Sequence, residues 1–149
     1  MAHQAGSAAD LERLMEEYGT GLLRLCALQL GDAALAEDAA QETLLRAWRR
    51  YGTFREAAAE RTWITAIALN VCRDLLRSPW HTRRMDDTPL RAVLSLPRKY
   101  REVVLLRYYE EFTLEEIADT LGIAPGTVSA RLTQAKRKLR PMLEEWYYD

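Results

Sequence analysis

The sequence predicts an all-α chain of two small helical domains, the second a helix-turn-helix, joined by a short linker. Three observations predict it. Strand-favouring runs are scarce, while Ala, Leu, Glu and Arg dominate, residues that lose little on entering a helix. Capping residues and glycines recur at helix-length intervals: Ser7 and Gly31, Asp32 and Gly52, Thr113 and Gly122. Between two periodic stretches, residues 78–89 carry two prolines, paired aspartates and no apolar period, the signature of a join. A chain of 149 residues fits one ordinary domain or two small ones. The expected division is therefore a first domain over 1–77, a linker over 78–89 and a second domain over 90–149.

The elements follow in order. A first helix is expected from about Ala8 to Leu30, capped by Ser7 and stopped by Gly31, with Gly19 and Gly21 loosening its middle. Asp32 caps a second helix that runs to about Tyr51 and ends at Gly52. Thr53–Glu56 reads as a loop. A third helix spans about Ala57 to Arg77 and breaks at Ser78, because the residue before proline resists the helical conformation. Thr88 caps a short helix starting at Pro89. A longer one spans Pro97 to Glu110 and buries Val103, Val104 and Leu106, with Tyr100 a further candidate. Pro141 is expected to kink or end the last helix, and a helical tail continues through Trp146.

Thr113 to Arg140 is the most informative stretch. Thr113 and Glu116 make a capping box. Ile117, Ala118 and Leu121 give one apolar face, Gly122 suits a left-handed exit, and Pro125 suits the first position of the next helix. Ala118, Gly122 four residues on and Val128 six beyond that is the spacing of a DNA-reading helix-turn-helix. An ordinary helical hairpin needs neither that spacing nor a basic second helix. Here Arg131, Lys136, Arg137, Lys138 and Arg140 follow Gly126 without an acid between them.

A formal net charge of -1 excludes a protein that coats nucleic acid by bulk charge, so DNA binding must be local. Cys26 and Cys72 form no Cys-x-x-Cys pair, and Cys26 lies in an apolar run that reads as core. His3 and His81 have no partners at metal-ligand spacing, and no metal or cofactor is expected. No signal peptide and no membrane span are read, so the expected compartment is the cytoplasm, with no membrane insertion. Nothing in the sequence forms a phosphate loop or a catalytic grouping. Glu37, Asp38 and Glu42 share a helix face without a histidine to join them, which suits solvent or a partner better than catalysis. The chain is not expected to be an enzyme.

On the second helix Leu44, Trp48 and Tyr51 are expected to pack inward. Asp38, Gln41, Glu42, Leu45 and Arg49 form an acidic, partly apolar outer face that suits a partner helix or simply solvent. On the third helix Ile64, Ile67, Ala68, Val71 and Leu75 form the inward stripe. Trp63, Asn70 and the neighbouring arginines suit single-stranded DNA, by stacking and base-edge hydrogen bonds. Trp63 suits the core equally well, and the residues alone leave both readings open.

Taken together, these segments resemble a bacterial sigma factor of the extracytoplasmic-function group, over nearly the whole chain from Leu11 to Leu143. Ala36 to Trp48 resembles the part of region two that binds core RNA polymerase. Phe54-Arg55 with Thr62-Trp63-Ile64 and Ile67-Ala68-Leu69-Asn70 resembles the part that melts and reads the minus-ten element. Tyr100 to Tyr109, Glu116-Ile117-Ala118 and Gly126-Thr127-Val128 resemble region four, which reads the minus-thirty-five element. The resemblance implies polymerase binding by Asp38, Gln41, Glu42, Leu45 and Arg49. It implies minus-ten contacts by Phe54, Arg55, Arg61, Trp63, Asn70, Arg73 and Arg77, with Asn70 holding an extruded base and the 54–61 loop walling the pocket. It implies minus-thirty-five contacts by Thr127, Ser129, Arg131, Gln134, Lys136 and Lys138. Arg131 and Gln134 would enter the major groove, and Lys136 and Lys138 would touch phosphates. Core RNA polymerase, promoter DNA and an anti-sigma factor are the implied partners.

The chain departs from the pattern at Thr65, Ala66, Ser129, Ala130 and Gln134, each a place where a DNA contact is common in the group. Glutamine at 134 would read adenine where arginine reads guanine. The join is also short: residues 78–89 reach about 40 Å fully extended, and unfolding 90–94 adds less than about 20 Å. Full separation of the domains on polymerase would strain it. Two other functions fit parts of the pattern. One is a stand-alone helix-turn-helix regulator; the other is a sigma-like co-factor or competitor with weakened DNA recognition.

Overall fold

The structure, a computed structural model, describes residues 5–54, 59–77 and 89–148, with side chains described except at 89–91 and 142–148. It divides into two compact units, Met1–Thr82 and Arg83–Asp149, and no strand occurs among the described residues. The expected linker, Thr88 as a cap, Arg55 and the expected start of the third helix at Ala57 fall outside the described residues.

In the first unit, α1 (Ala8–Leu30) is opened by a capping box. The Asp10 amide donates to Ser7 Oγ at 3.1 Å, and the Ser7 amide donates to Asp10 Oδ2 at 2.8 Å. Gly31, at φ 69°, closes the helix by donating to the Ala27 carbonyl. Gly19 and Gly21 do not interrupt α1, contrary to the expected loosening. Burial of Leu14 before them and of Leu22, Leu25 and Cys26 after them outweighs the roughly 1 kcal/mol that each helical glycine forfeits. Asp32 caps α2 (Ala33–Arg49) by accepting from the Leu35 amide at 3.1 Å. Ala36, Ala39, Ala40 and Ala47 make the inner face of α2 thin, which lets neighbouring helices approach closely. Thr43, buried between them, returns its hydroxyl to the Ala39 carbonyl at 2.7 Å.

The second helix ends earlier than expected, at Arg49, and Tyr51–Thr53 form a 3₁₀ turn where a loop was expected to begin. The Thr53 hydroxyl closes that turn on the Arg50 carbonyl at 2.6 Å. The third helix, α3 (Glu60–Leu76), has Ala59 at its N-cap and no side-chain cap. Ile64, Ile67, Ala68 and Val71 are buried as expected, joined by Thr62, Thr65, Leu69 and Cys72. Cys26 and Cys72 are both buried and unbridged.

The second unit begins with α4 (Pro89–Leu94), then α5 (Arg98–Val104) and a π-helical turn (Leu105–Tyr109). One continuous helix had been expected from 97 to 110. Val103, Val104, Leu105 and Leu106 are buried, whereas Tyr108 and Tyr109 are exposed; the widened turn redirects the chain before Phe112, which is fully buried. Buried Arg101 donates to the Leu94 carbonyl at 2.8 Å, anchoring α4 to α5, and buried Glu102 accepts from Arg98 at 2.9 Å one turn back along α5.

Glu111 carries a φ of 57°, left-handed backbone that costs a residue with a Cβ about 1–2 kcal/mol. Glu111→Gly relieves that strain but gives the unfolded chain more freedom. Thermal denaturation is expected to show a net gain of about 0.5–1 kcal/mol; a loss of stability would mean that the left-handed backbone carries no strain here.

α6 (Leu114–Leu121) starts with the expected capping box, the Glu116 amide donating to Thr113 Oγ1 at 3.1 Å and the Thr113 amide to Glu116 Oε1 at 2.9 Å. Gly122 leaves the helix at φ 69°, and Pro125 opens α7 (Pro125–Tyr148). Ile117, Ala118, Val128, Leu132 and Ala135 form the apolar seam between them. Pro141 does not end α7. It removes one i→i−4 hydrogen bond, but it lies on the exposed side, where water can hydrate the freed Arg137 carbonyl.

Candidate nucleic-acid and partner interfaces

The outer face of α2 brings together all five side chains expected there. Asp38, Gln41, Glu42, Leu45 and Arg49 recur at three- and four-residue spacing, which stacks them along one side of a helix. Asp38, Gln41 and Arg49 are exposed, and Glu42 and Leu45 half-buried. Charge is graded along the face. Glu42 Oε1 accepts from Arg46 Nε at 3.0 Å and lies 3.9 Å from Arg49 Nη1. Arg46 also reaches Asp74 of α3 at 3.7 Å. Asp38 makes no ion pair among the described residues, so the acid at the N-terminal half is the more available charge.

Inward packing holds for Leu44, which is buried, but Trp48 and Tyr51 are only half-buried. Their polar tips explain it. Trp48 Nε1 donates to the Ser7 carbonyl at 2.9 Å, and the Gly6 amide donates to the Trp48 carbonyl at 2.9 Å, so the segment before α1 is pinned to the end of α2. Tyr51 is turned toward α3 instead.

Trp63 lies between the two environments its readings require. It is half-buried, and its ring joins Phe54 at a centroid distance of 5.1 Å and Tyr51 at 6.2 Å. Tyr51 and Phe54 meet edge to face at 6.2 Å. The three rings, each half-buried, form an aromatic wall beside the start of α3. Trp63, Asn70, Arg73 and Arg77 share one side of α3 by helical spacing, with Asn70 and Arg77 exposed. Asn70 Oδ1 accepts from Arg73 at 3.2 Å, and Arg77 is paired with Asp74. Arg61 is not brought onto this side; two residues before Trp63, it points roughly the opposite way around the helix.

A charged clamp sits behind the wall. Glu60, at the first position of α3, accepts from Arg13 Nη1 at 2.9 Å and from Tyr18 at 2.9 Å through Oε1. Its Oε2 accepts from Arg13 Nη2 at 2.7 Å and from the Tyr51 hydroxyl at 3.0 Å. Arg13 also donates to Tyr51 at 2.8 Å and to Glu17 at 3.0 Å. Donation from Arg13 holds the Glu60 carboxyl well below its usual range, at about 2. Burial, followed by the carboxylate, pushes the Tyr18 and Tyr51 phenols up. Sequence reading passed over Arg13, Tyr18 and Glu60, since their spacing in the chain gives no hint that they meet.

In the second unit, α7 turns Val128, Leu132 and Ala135 inward and spreads the six expected DNA-contact residues over the rest of its surface. Thr127, Arg131, Gln134 and Lys138 lie toward one flank, Ser129 and Lys136 toward the other. Lys136 Nζ stands 5.9 Å from the Tyr108 ring and Lys138 Nζ 5.4 Å from the Tyr100 ring, which draws both cations toward the body of the unit. The outermost strip between the flanks holds Ala130, Thr133 and Arg137, all exposed. Arg137 was absent from the expected contacts, although counting outward from Val128, Leu132 and Ala135 would have placed it there.

Among the described residues, no group of three or more histidine, cysteine, aspartate or glutamate side chains is placed to hold a metal, and no helix is long and apolar enough to cross a membrane.

Comparison with known proteins finds a family model for each of the two units. Residues 14–82 match the family model for Sigma-70 region 2, and residues 90–139 that for Sigma-70 region 4. The chain is 33% identical to the ECF RNA polymerase sigma factor SigL of Mycobacterium tuberculosis, over 95% of this chain and 93% of the relative. It is 27% identical to the ECF RNA polymerase sigma factor SigW of Bacillus subtilis, over 89% and 88% respectively. Among solved structures, CnrH in complex with the cytosolic domain of CnrY superposes with a TM-score of 0.81 at 26% identity, over 94% of this chain and 91% of that one.

Proposed function

The chain belongs to the family of ECF RNA polymerase sigma factors, which direct polymerase to promoters, and from that premise we propose how its surfaces divide the work. The outer face of α2 docks on core polymerase through Asp38, Gln41, Glu42, Leu45 and Arg49. The wall of Tyr51, Phe54 and Trp63, with Asn70, Arg73 and Arg77 beyond it on α3, takes the unpaired minus-ten strand. The α6–α7 helix-turn-helix reads duplex DNA at the minus-thirty-five element. The domains that carry these roles are residues 1–77 and 90–149, joined by 78–89. An anti-sigma partner is part of the proposal, since the solved relative CnrH is bound to the cytosolic domain of CnrY.

One observation supports the strand-reading role above others: the half-buried rings of Tyr51, Phe54 and Trp63 meet at centroid distances of 5.1 to 6.2 Å beside the start of α3, in line with a row of hydrogen-bonding side chains on that helix. Bases stack on such a surface whatever their sequence, and polar groups beyond it discriminate among them. Purified chain added to core polymerase is expected to start specific transcripts from a fragment library of the host genome. Capture of core without specific initiation would overturn the promoter-reading roles while sparing the docking face.

Arg137 refines the duplex contact. An arginine at the crest of a recognition helix fits two acceptors of guanine. Arg137→Ala is expected to weaken binding to a promoter duplex by about 1–3 kcal/mol, with most of the loss confined to one base position in a substituted-site series. Uniform loss across all sites, with a salt slope shallower by about one, would place Arg137 on phosphate instead.

A further inference from the structure

Glu60 stands where three elements converge. Ala59 leaves the amino end of α3 without a side-chain acceptor, and a carboxylate in the first turn suits that positive end. Yet the Glu60 oxygens are committed elsewhere, to Arg13 and Tyr18 of α1 and to Tyr51 of the 3₁₀ turn, all within 3.0 Å. Arg13 meets the carboxylate fork on fork, the geometry that fixes orientation most strongly. The Glu60 side chain is only 17% exposed. Each end of this clamp controls a ring: Tyr51 is held by its hydroxyl, and Trp63 follows Glu60 by one helical turn.

We propose that Arg13 and Glu60 are positioning residues for promoter opening, holding Tyr51, Phe54 and Trp63 as a pre-formed stacking wall for the unpaired strand. The proposal rests on the strand-reading role assigned to that wall. Its physical basis is preorganisation. A base leaving the duplex has already lost its stacking, so a wall that must first order itself would return less binding free energy. Phe54 enters the chain just before residues 55–58 and Trp63 lies on the helix after them, so only tertiary contacts can hold the two rings in register. The clamp holds Tyr51 by its hydroxyl, and the Tyr51 ring in turn meets both Phe54 and Trp63 at 6.2 Å.

The charge state follows from the same geometry. Glu60, faced by Arg13, Tyr18 and Tyr51 with Glu17 on the far side of Arg13, has its folded-state pKa lowered from 4.5 to about 2. Its contribution to stability is therefore complete above about pH 4.5 and lost as pH falls toward 2. The clamp is closed throughout the physiological range, and Glu60→Gln is expected to flatten acid unfolding between about pH 4.5 and about pH 2.

The deciding measurement uses holoenzyme reconstituted with the full chain. The probe is a short single-stranded DNA selected on the wild-type holoenzyme from a mixed-sequence pool. Glu60→Gln is expected to weaken strand binding on the order of tenfold, close to the loss of one stacked base, with core affinity unchanged. Tyr18→Phe touches only the clamp and keeps its ring, so it should show a smaller loss of the same kind, and it serves if Glu60→Gln folds poorly. Trp63→Ala marks the full loss. If Glu60→Gln and Tyr18→Phe bind the strand as wild type does while Trp63→Ala does not, the positioning role is wrong. If both weaken core and strand binding together, the clamp merely stabilises the first unit, and the proposal also fails. If Trp63→Ala itself has no effect, the strand-reading role is wrong and the positioning role falls with it.

Discussion

Trp63→Ala is expected to yield a holoenzyme that still locates duplex promoters but opens them poorly. Flipping a base out of the stack costs a few kcal/mol, and the wall must offset that by stacking. Removal of one aromatic platform forfeits about 1–3 kcal/mol per base, a loss in strand affinity of about 5- to 150-fold. The ring is half-buried and already meets the rings of Phe54 at 5.1 Å and Tyr51 at 6.2 Å. Transcription from a duplex promoter should therefore fall steeply, while a template with the same segment already unpaired should recover part of it. Loss of the Phe54–Trp63 contact also removes about 0.5–1.5 kcal/mol of stability, so melting curves must show that the first unit remains folded at the assay temperature. Wild-type opening of the duplex promoter by this variant would remove Trp63 from the site.

The helices were legible wherever a local rule decided them. Ser7 with Gly31, Asp32, and Thr113 with Glu116 and Gly122 each satisfy orphan backbone groups within a few residues, and the structure places all of these caps as expected. Features that depend on tertiary contact were not legible. Tyr51 reads as the last inward residue of an amphipathic helix, but its hydroxyl is claimed by Glu60 and the helix has already ended. The π-helical turn at Leu105–Tyr109 departs from a pattern that is locally an unbroken α-helix. Burial of Arg101 and Glu102 needs the Leu94 carbonyl and Arg98 to satisfy them, and charged residues alone predict exposure. Pro141 erred the other way: its rule is sound, but the lost hydrogen bond lies where water can replace it. The surfaces followed the same division. The α2 face emerged from one helix's period, whereas the clamp at Glu60 joins residues 42 and 47 positions apart in the chain.

Charge reversal on the outer face of α2 should separate docking from folding. Asp38→Lys is expected to abolish stable capture of core polymerase with little change in melting temperature, because Asp38 is exposed and makes no ion pair among the described residues. A like charge forced against a complementary basic surface costs several kcal/mol, enough to weaken capture on the order of a thousandfold. Glu42→Lys should lose capture as well, but through a different balance. Arg46 at 3.0 Å and Arg49 at 3.9 Å would face a third cation, and Arg46 would be left with Asp74 at 3.7 Å. Exposed pairs of this kind are worth about 0.2–1 kcal/mol, so a stability loss of about 1 kcal/mol should accompany the docking defect. Duplex binding by the α6–α7 motif should survive in both variants, since it belongs to the other unit. Comparing the two therefore tests the assignment twice. Core capture by Asp38→Lys at wild-type affinity would show that the polymerase docks elsewhere. Equal destabilisation of the two variants would show that the Glu42 pairs do nothing to hold α2.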